Sequence, residues 1–262
     1  MLDISLSPSQ WVLFSVVGVL TGAINTLAGS GSLITLPLFM VVCGLSPRLS
    51  NGTNRIGAFL QSLYGAWAFW RQNPAAFHSS LWVMMPAIVG AIFGARAAVI
   101  ASERAVAVAI GLLMLLMLIV LLVDPIRWLR DSIQDPKKMR QWPCLATFLA
   151  IGFYGGFIQA GVGIFLLAGL VLAANYNLKD ANAIKLAVTA ALSVPSLIIF
   201  AMENQIHYGF GFAMAFFQVI GAYLGVWLAR VVPNITVWIY RLLILMVALS
   251  AIEIFRRFLL VE

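Results

Sequence analysis

The stretch Asn25-Thr-Leu-Ala-Gly-Ser-Gly-Ser32 is small, polar and uncharged, and it lies between two apolar runs of sequence. A shorter echo follows at Gln159-Ala-Gly-Val-Gly163. Glycine permits positive φ angles and close approach of other groups, and irregular backbone within a membrane is tolerated only where it is buried in protein or lines a cavity. Both stretches are therefore predicted to break helices at a solute site. The alternative is that their small residues only let helices pack closely.

The helix that follows the first break is expected to help bind an anion. If it begins at Ser32, the N–H groups of Gly31, Ser32 and Leu33 are free, and the partial positive charge of a helix N-terminus suits an anion. The amides of the residues that precede the two glycine pairs are expected to donate to an oxyanion from two sides. The residues assigned to the site from these stretches are Asn25, Thr26, Gly29, Ser30, Gly31, Ser32, Gln159, Gly161 and Gly163.

The composition indicates an integral membrane protein. Hydrophobic residues make up 63% of the 262 residues and charged residues 10%, with a mean hydropathy of +1.01. Such a chain is not an ordinary soluble protein, and its surroundings are expected to be a lipid bilayer. The uncharged run from Ala105 to Val123 is 19 residues long, enough to cross the hydrocarbon core. The first ten residues lack a basic region, so residues 11–28 are expected to form a retained helix and not a cleaved signal.

Several other classes of function are not supported. The net charge of +7 does not indicate nucleic acid, because the sixteen basic residues are spread over many loops without an aromatic-rich patch. The apolar segments hold no paired carboxylates, no His-x-x-x-His and no phosphate-binding loop, so neither an enzyme nor a cofactor or metal site is expected. The cysteines, Cys43 and Cys144, are far apart and are expected to serve packing.

The pattern of apolar segments predicts an all-α, polytopic membrane bundle of eight to ten membrane segments. The segments are approximately 11–28, 33–45, 51–71, 80–101, 105–123, 142–160, 162–175, 181–202, 208–231 and 235–255. The second and the seventh have only about 13 residues each, which corresponds to roughly 20 Å of helix and is short of a ~30 Å hydrocarbon core. These two are expected to be half-helices, re-entrant elements or assisted spans.

The sequence also indicates an internal duplication, since residue n often matches residue n+131, as Asn51 matches Asn182. The duplication divides the chain into a first repeat at 1–123, a basic linker at 124–141 that is expected to be cytoplasmic, and a second repeat at 142–262. Short, Gly-broken segments at corresponding positions of two repeats are typical of transporter sites. The basic residues favour inverted repeats with five crossings each, and parallel repeats with four spans each stay open.

A second group of candidate residues follows the first short segment and the aligned position in the other half. It comprises Asn51, Thr53, Asn54, Arg55, Asn182 and Lys185. Neutral donors with one or two cations suit a small oxyanion, because a buried anion needs paired charge and hydrogen bonds. Arg55 and Lys185 are expected to supply that charge at the edge of the cavity. The alternative is that both side chains snorkel to the membrane interface.

Together these motifs resemble those of the TauE/SafE-type sulfite exporter family, also called the TSUP permeases. The resemblance rests on Gly18-x-x-x-Gly22-x-x-Asn25-Thr-Leu-Ala-Gly29-Ser-Gly31-Ser, Asn51-Gly-Thr-Asn54, Gly152-x-x-x-Gly156-x-x-Gln-Ala-Gly161-Val-Gly163 and Ala183-Ile-Lys185-Leu, and it covers nearly the whole chain. It implies a transporter of small anions such as sulfite or organosulfonates. Many relatives carry a threonine where this chain has Ile184, so one potential donor is missing.

We accordingly expect secondary transport across the cytoplasmic (inner) membrane by alternating access, with the anion held where the helix N-termini meet near mid-membrane. An anion channel, a non-transporting assembly partner and, as the weakest alternative, a membrane enzyme stay open at this point. A homodimer stays open beside a monomer.

Overall fold

A computed structural model of the protein describes residues 6–71, 74–77, 80–122, 141–232, 238 and 241–250. Nearly all of the predicted linker lies outside these residues, as does the chain from residue 251 onward. The expected cytoplasmic location of the linker therefore stays a prediction. Within the described ranges the secondary structure is helical and contains no β-strand. The prediction of an all-α membrane fold is confirmed.

The helices are close to the predicted segments, and most differences are at their ends. In chain order they are α1 (Pro8–Ala28), α2 (Ser32–Val41), α3 (Pro47–Trp70), a 3₁₀ turn (Pro74–Phe77), α4 (Leu81–Ile100), α5 (Glu103–Leu122), α6 (Trp142–Phe157), α7 (Val162–Ala168), a π-helical turn (Gly169–Ala173), α8 (Leu178–Met202), α9 (Tyr208–Val231) and α10 (Arg241–Ser250).

Five of these helices, namely α1, α4, α5, α8 and α9, are long and apolar enough to cross a membrane. The 24-residue α3 is also long enough, at about 36 Å, but it carries a polar face that includes Asn51, Asn54, Arg55 and Gln61. All four of these residues are buried. A helix of this composition is compatible with a membrane because neighbouring helices, and not lipid, surround its polar side.

Helix α3 begins four residues before the predicted start because its N-terminus carries its own signals. Ser46 is the N-cap, its Oγ accepts a hydrogen bond from the Leu49 N–H, and Pro47 occupies the first helical position. Asn177 caps α8 in the same way, by accepting from the Asp180 N–H at 2.9 Å. The candidate residues from Asn51 to Arg55, and Lys185, therefore lie one to two turns inside their helices.

The first glycine break reverses the direction of the chain. Gly29 has a left-handed conformation, with φ 80°, and it ends α1. A Cβ on Gly31 would lie 2.5 Å from the Thr21 carbonyl oxygen, and the ring centroids of Phe14 and Phe39 are 6.2 Å apart. Helix α2 therefore folds back along α1 and does not continue its path.

The second break has the same form. Gly161 is left-handed, with φ 68°, and precedes α7. The rings of Tyr154 and Phe165 are 5.1 Å apart, and Gly169 packs against Ile151, so α7 and the π-helical turn run back along α6. Both short segments are thus half-length, returning elements, which is one of the alternatives that the sequence left open.

Close glycine contacts show which long helices run side by side and in the same direction. Gly18 of α1 packs against Phe217 of α9, and Gly225, further along α9, packs against Ala23, further along α1. Helices α4 and α6 make the equivalent pair through Gly90, Gly94 and Gly156, where the backbones approach so closely that any Cβ would overlap the partner helix. Helix α1 is therefore parallel to α9, and α4 is parallel to α6.

Helix α3 connects these two pairs. The N–H of His207, at the start of α9, donates to Thr53, near the start of α3, so α3 is parallel to α9. The Arg48 guanidinium donates to the Val99 carbonyl at the other end of α4, so α3 and α4 are antiparallel. It follows that α1, α3 and α9 point one way and α4 and α6 point the other.

Helix α8 also runs against α3, since Gly52 contacts Phe200 and Gly65 contacts Leu186. Helices at corresponding positions of the two halves, α1 and α6 or α3 and α8, are thus antiparallel. These directions favour the inverted arrangement of the repeats over the parallel one. The two halves do not have the five crossings that the sequence analysis coupled to inversion, because α2 and α7 turn back. The duplication itself stays a prediction.

Candidate functional site

The two glycine breaks meet in the interior of the bundle. A Cβ on Gly29 would lie 2.8 Å from the Cα of Gly163, and a Cβ on Gly163 would lie 2.3 Å from the Gly29 carbonyl oxygen. Any larger side chain at either position would separate the breaks. The glycines therefore do provide close packing, which was the alternative considered from the sequence, and this packing brings the polar residues of both breaks together.

A small cavity, lined by buried residues, lies where the breaks meet. Its volume is about 10 Å³, which is the space of about one water molecule. Ten residues from α1, α2, α3, α7, α8 and the two breaks line it, and they are Asn25, Gly29, Ser32, Ala58, Gln159, Val162, Gly163, Lys185, Leu186 and Thr189. Six of the predicted site residues are among them. The conformation is closed, because the cavity is too small for a polyatomic anion.

Asn25 lines this cavity with its amide nitrogen left available as a donor. Its Oδ1 accepts a hydrogen bond from the Gly31 N–H at 3.3 Å, so its Nδ2 points away from that bond. The Leu33 N–H donates to the Ser30 carbonyl at 3.1 Å. Two of the three N–H groups expected to be free at the start of α2 are therefore occupied, and the expectation holds only for Ser32, whose N–H has no hydrogen bond among those described.

Gln159 presents an acceptor instead of the predicted donor. Its Nε2 donates to Ser193 Oγ at 2.6 Å, and Ser193 Oγ in turn donates to the Thr189 carbonyl at 2.6 Å. Since the hydroxyl proton of Ser193 is used, the amide can face it only with Nε2. Gln159 Oε1 is buried and has no partner among the described residues. The two aligned amides thus offer opposite groups.

Lys185 provides a buried cation at the cavity. The side chain is 1% exposed, and Nζ donates to Asn182 Oδ1 at 2.6 Å, which is a neutral acceptor. The carboxylates that the structure describes, Glu103, Asp180 and Glu203, are exposed or half-buried. A buried ammonium with a neutral partner is costly unless an anion compensates its charge. Because its side chain is buried at the cavity, Lys185 does not snorkel to the membrane interface, which was the alternative.

Arg55 is also fully buried but lies elsewhere. Its guanidinium donates to the carbonyls of Gly155, Gly156 and Phe157 at 3.2, 2.6 and 3.3 Å, and it stacks 4.3 Å from the centroid of the Phe200 ring. It therefore caps the last turn of α6, whose final carbonyls have no partner within their helix. Neither the predicted place at the cavity edge nor snorkelling describes it.

The polar neighbours of Arg55 on α3 also bond to other helices and not to the cavity. Asn51 Nδ2 donates to the Phe157 carbonyl at 2.8 Å, Thr53 Oγ1 accepts from the His207 N–H at 2.9 Å, and Asn54 Oδ1 accepts from Thr35 Oγ1 at 2.5 Å. In their observed positions these side chains join α3 to α6, α9 and α2.

Three more predicted residues lie beside the cavity without lining it. Thr26 donates to the Gly22 carbonyl at 2.9 Å and contacts Gly225 of α9. Ser30 is fully buried, and its Oγ has no partner among the described residues. Gly161 packs against the sulfur of Met117.

Two polar residues that bear on the site were missed from the sequence, and both are on α8. Thr189 lines the cavity, and Ser193 orients Gln159. Lys185, Thr189 and Ser193 are spaced four residues apart and therefore lie on one face of the helix, which is a signal the sequence does contain. Among the residues that the structure describes, no group of three His, Cys, Asp or Glu side chains could hold a metal ion.

Comparison with known proteins gives one family. The model of the sulfite exporter TauE/SafE family matches residues 14–254. The probable membrane transporter protein YfcA of Escherichia coli (strain K12) is 26% identical over 212 residues, which cover 80% of this chain and 77% of that protein. A probable membrane transporter protein of Haemophilus influenzae is also 26% identical over 212 residues, covering 80% and 81%. No solved structure matches the chain.

Proposed function

The chain belongs to the sulfite exporter TauE/SafE family of membrane transporters, and on this premise we propose that it is a secondary transporter of a small anion. The proposed substrate is sulfite or a related sulfur oxyanion or organosulfonate, and the proposed location is the cytoplasmic membrane. The sequence contains no nucleotide-binding loop, so an ion gradient or the membrane potential would drive transport.

The observation that carries the proposal is the buried Lys185 beside the closed cavity. An ammonium that is 1% exposed and bonded to a neutral amide oxygen is poorly compensated. An anion in the cavity would neutralise it and would meet Asn25 Nδ2 and Ser32, at the start of the ten-residue α2, on the other side. These groups are the surroundings that a small oxyanion needs.

Alternating access is proposed because the cavity is closed. At about 10 Å³ it cannot hold a sulfite ion, so at least one wall must move for the anion to enter. The hairpins α1–α2 and α6–α7 approach the cavity from opposite directions and touch at Gly29 and Gly163. Movement of one hairpin would open the cavity toward one side only, as transporters with inverted repeats require.

The proposal is tested by uptake of labelled sulfite into proteoliposomes, with Lys185→Met as the variant and Lys179→Met as its matched control. Lys179 is on the same helix but is exposed. Wild type and Lys179→Met should both accumulate sulfite above empty vesicles, and Lys185→Met should not. The proposal fails if the wild type moves no anion under an imposed gradient, or if Lys185→Met transports like the wild type.

A further inference from the structure

We propose that the cavity selects a singly charged oxyanion that carries one O–H group. Hydrogen sulfite then binds more tightly than dianionic sulfite and more tightly than sulfonates. This inference rests on the proposed function, because it specifies the substrate of the same site. Two observations carry it, namely the number of cations that reach the cavity and the orientation of Gln159.

The charge of the site favours a monoanion. Among the ten residues that line the cavity, Lys185 is the one charged side chain. Arg55 cannot add a second charge there, because its guanidinium is held by three carbonyls of α6 and by the face of Phe200. A dianion would therefore keep one uncompensated negative charge in a buried site, which is unfavourable.

The orientation of Gln159 favours an O–H group. Because Ser193 gives its proton to Thr189, it receives a hydrogen bond from Gln159 Nε2, and this leaves Gln159 Oε1 without a donor beside the cavity. An O–H of the ligand would satisfy this acceptor. A sulfonate, in which every oxygen is an acceptor, would leave Oε1 unpaired and would place a second oxygen near it, and sites built for a hydroxyl discriminate strongly against such analogues.

The opposite side of the cavity has the complementary groups. Asn25 Nδ2 points away from the bond that fixes its Oδ1, and Ser32, at the start of α2, provides a further donor on this side. The site thus has donors on the side of Asn25 and an acceptor on the side of Gln159. An ion with unprotonated oxygens at one end and an O–H at the other matches both sides at once.

The titratable groups around the cavity are few. From α8 they are Lys185 itself, with Lys179 and Asp180 one to two turns before it; from α3, Arg55; and from α6, Tyr154, whose hydroxyl donates to the Ala160 carbonyl. The parts of α1, α2 and α7 that line the cavity contribute none. Methanesulfonate does not titrate near neutral pH, so its affinity reports any titration of the protein itself.

The experiment is calorimetric titration of the purified full-length protein with sulfite, methanesulfonate and sulfate, without oxygen, between about pH 6 and about pH 8. The affinity for total sulfite should fall more steeply with rising pH than the affinity for methanesulfonate, because sulfite itself loses its proton, whereas methanesulfonate affinity changes only with titration of the protein. At the lower pH, hydrogen sulfite should bind roughly tenfold more tightly than methanesulfonate. Sulfate should be the weakest ligand.

The variant that tests the acceptor is Gln159→Met, with Gln61→Met as the matched control. Gln61 is equally buried, and its Oε1 is also unpaired, but it does not line the cavity. Gln159→Met should lose roughly tenfold in affinity for hydrogen sulfite and little for methanesulfonate, so that the preference disappears. Gln61→Met should keep the preference for hydrogen sulfite over methanesulfonate. If Gln159→Met does not fold, the titrations of the wild-type protein with the three anions still test the inference.

The inference is overturned if sulfite affinity falls no more steeply with pH than methanesulfonate affinity, if sulfate or methanesulfonate binds as tightly as sulfite at about pH 6, or if Gln159→Met keeps the preference. In each of these cases an anion still binds, and the proposed function stands. If none of the three anions binds and sulfite is not transported, the proposed function itself is wrong.

Discussion

The guanidinium of Arg55 donates to the Gly156 carbonyl at 2.6 Å and so ties α3 to the last turn of α6, 101 residues away in sequence. The side chain is completely buried, and its other bonds go to the neighbouring carbonyls of the same turn. Arg55 thereby fixes the end of the helix that leads into the second break. Its cation supports the site through the backbone and does not line the cavity.

Replacement of Arg55 should therefore affect stability first. In Arg55→Met the three carbonyls lose their buried donor, and we expect a loss of about 3 kcal/mol in unfolding free energy. Thermal unfolding in detergent would measure it, with Arg71→Met as the control, because Arg71 is exposed. Wild-type thermal stability together with lost anion binding in Arg55→Met would instead make Arg55 a direct ligand.

Gly163→Ala should prevent the two breaks from meeting. The added Cβ would lie 2.3 Å from the Gly29 carbonyl oxygen, and the backbone would have to separate at a cost of about 1–3 kcal/mol. We expect lower thermal stability and loss of sulfite uptake. Gly111→Ala is the control, since a Cβ there meets nothing within 4 Å and alanine favours the helix. Normal uptake by Gly163→Ala would show that the contact between the breaks is not needed.

The Lys185→Arg variant should transport more slowly than the wild type, although it keeps the positive charge. The ammonium is a compact group that donates to Asn182 Oδ1 beside a cavity of about 10 Å³, whereas a guanidinium is planar and larger. We expect at least a tenfold decrease in uptake rate, roughly what the loss of one charge-assisted hydrogen bond would cause. Lys179→Arg should match the wild type. Full activity in Lys185→Arg would mean that only the charge, and not the shape, matters at this position.

The opposite directions of corresponding helices predict the sidedness of two loops. Ser46 precedes α3 and Lys179 lies in the first turn of α8, and these helices are antiparallel. In a background with Cys43 and Cys144 replaced by alanine, Ser46→Cys and Lys179→Cys should react with an impermeant thiol reagent from opposite sides of the membrane. Labelling of both from the same side would support parallel repeats and refute the directions described above.

The sequence was sufficient to predict the membrane class, the helix breaks and the shortness of the second and seventh segments, because these follow from composition, length and glycine. It did not decide whether the two short segments return or cross. The starts of α3 and α8 were placed three or four residues late, although the caps Ser46 and Asn177 are readable signals. Asn25 and Ser32 belong to the first break itself, and Lys185 aligns with Asn54 in the polar group that follows the first short segment, so the sequence predicts all three at the cavity or its edge.

The parts of the site that could not be predicted depend on contacts between distant segments. The partners of Arg55 are carbonyls of α6, and no local pattern shows which helix end an arginine will cap. The orientation of Gln159 depends on Ser193, which in turn depends on Thr189, so the aligned amides of Asn25 and Gln159 look equivalent in sequence but present opposite groups.

The most direct test of the proposed site is to locate the anion itself. Hydrogen selenite resembles hydrogen sulfite, and its selenium atom gives an anomalous diffraction signal, so crystals of the full chain grown with it would show where it binds. We predict a selenium peak between Asn25 and Gln159, within hydrogen-bonding distance of Lys185 Nζ, in a cavity wider than the closed one of about 10 Å³. A peak beside Arg55, or one found only at the protein surface while this cavity stays closed, would contradict the account.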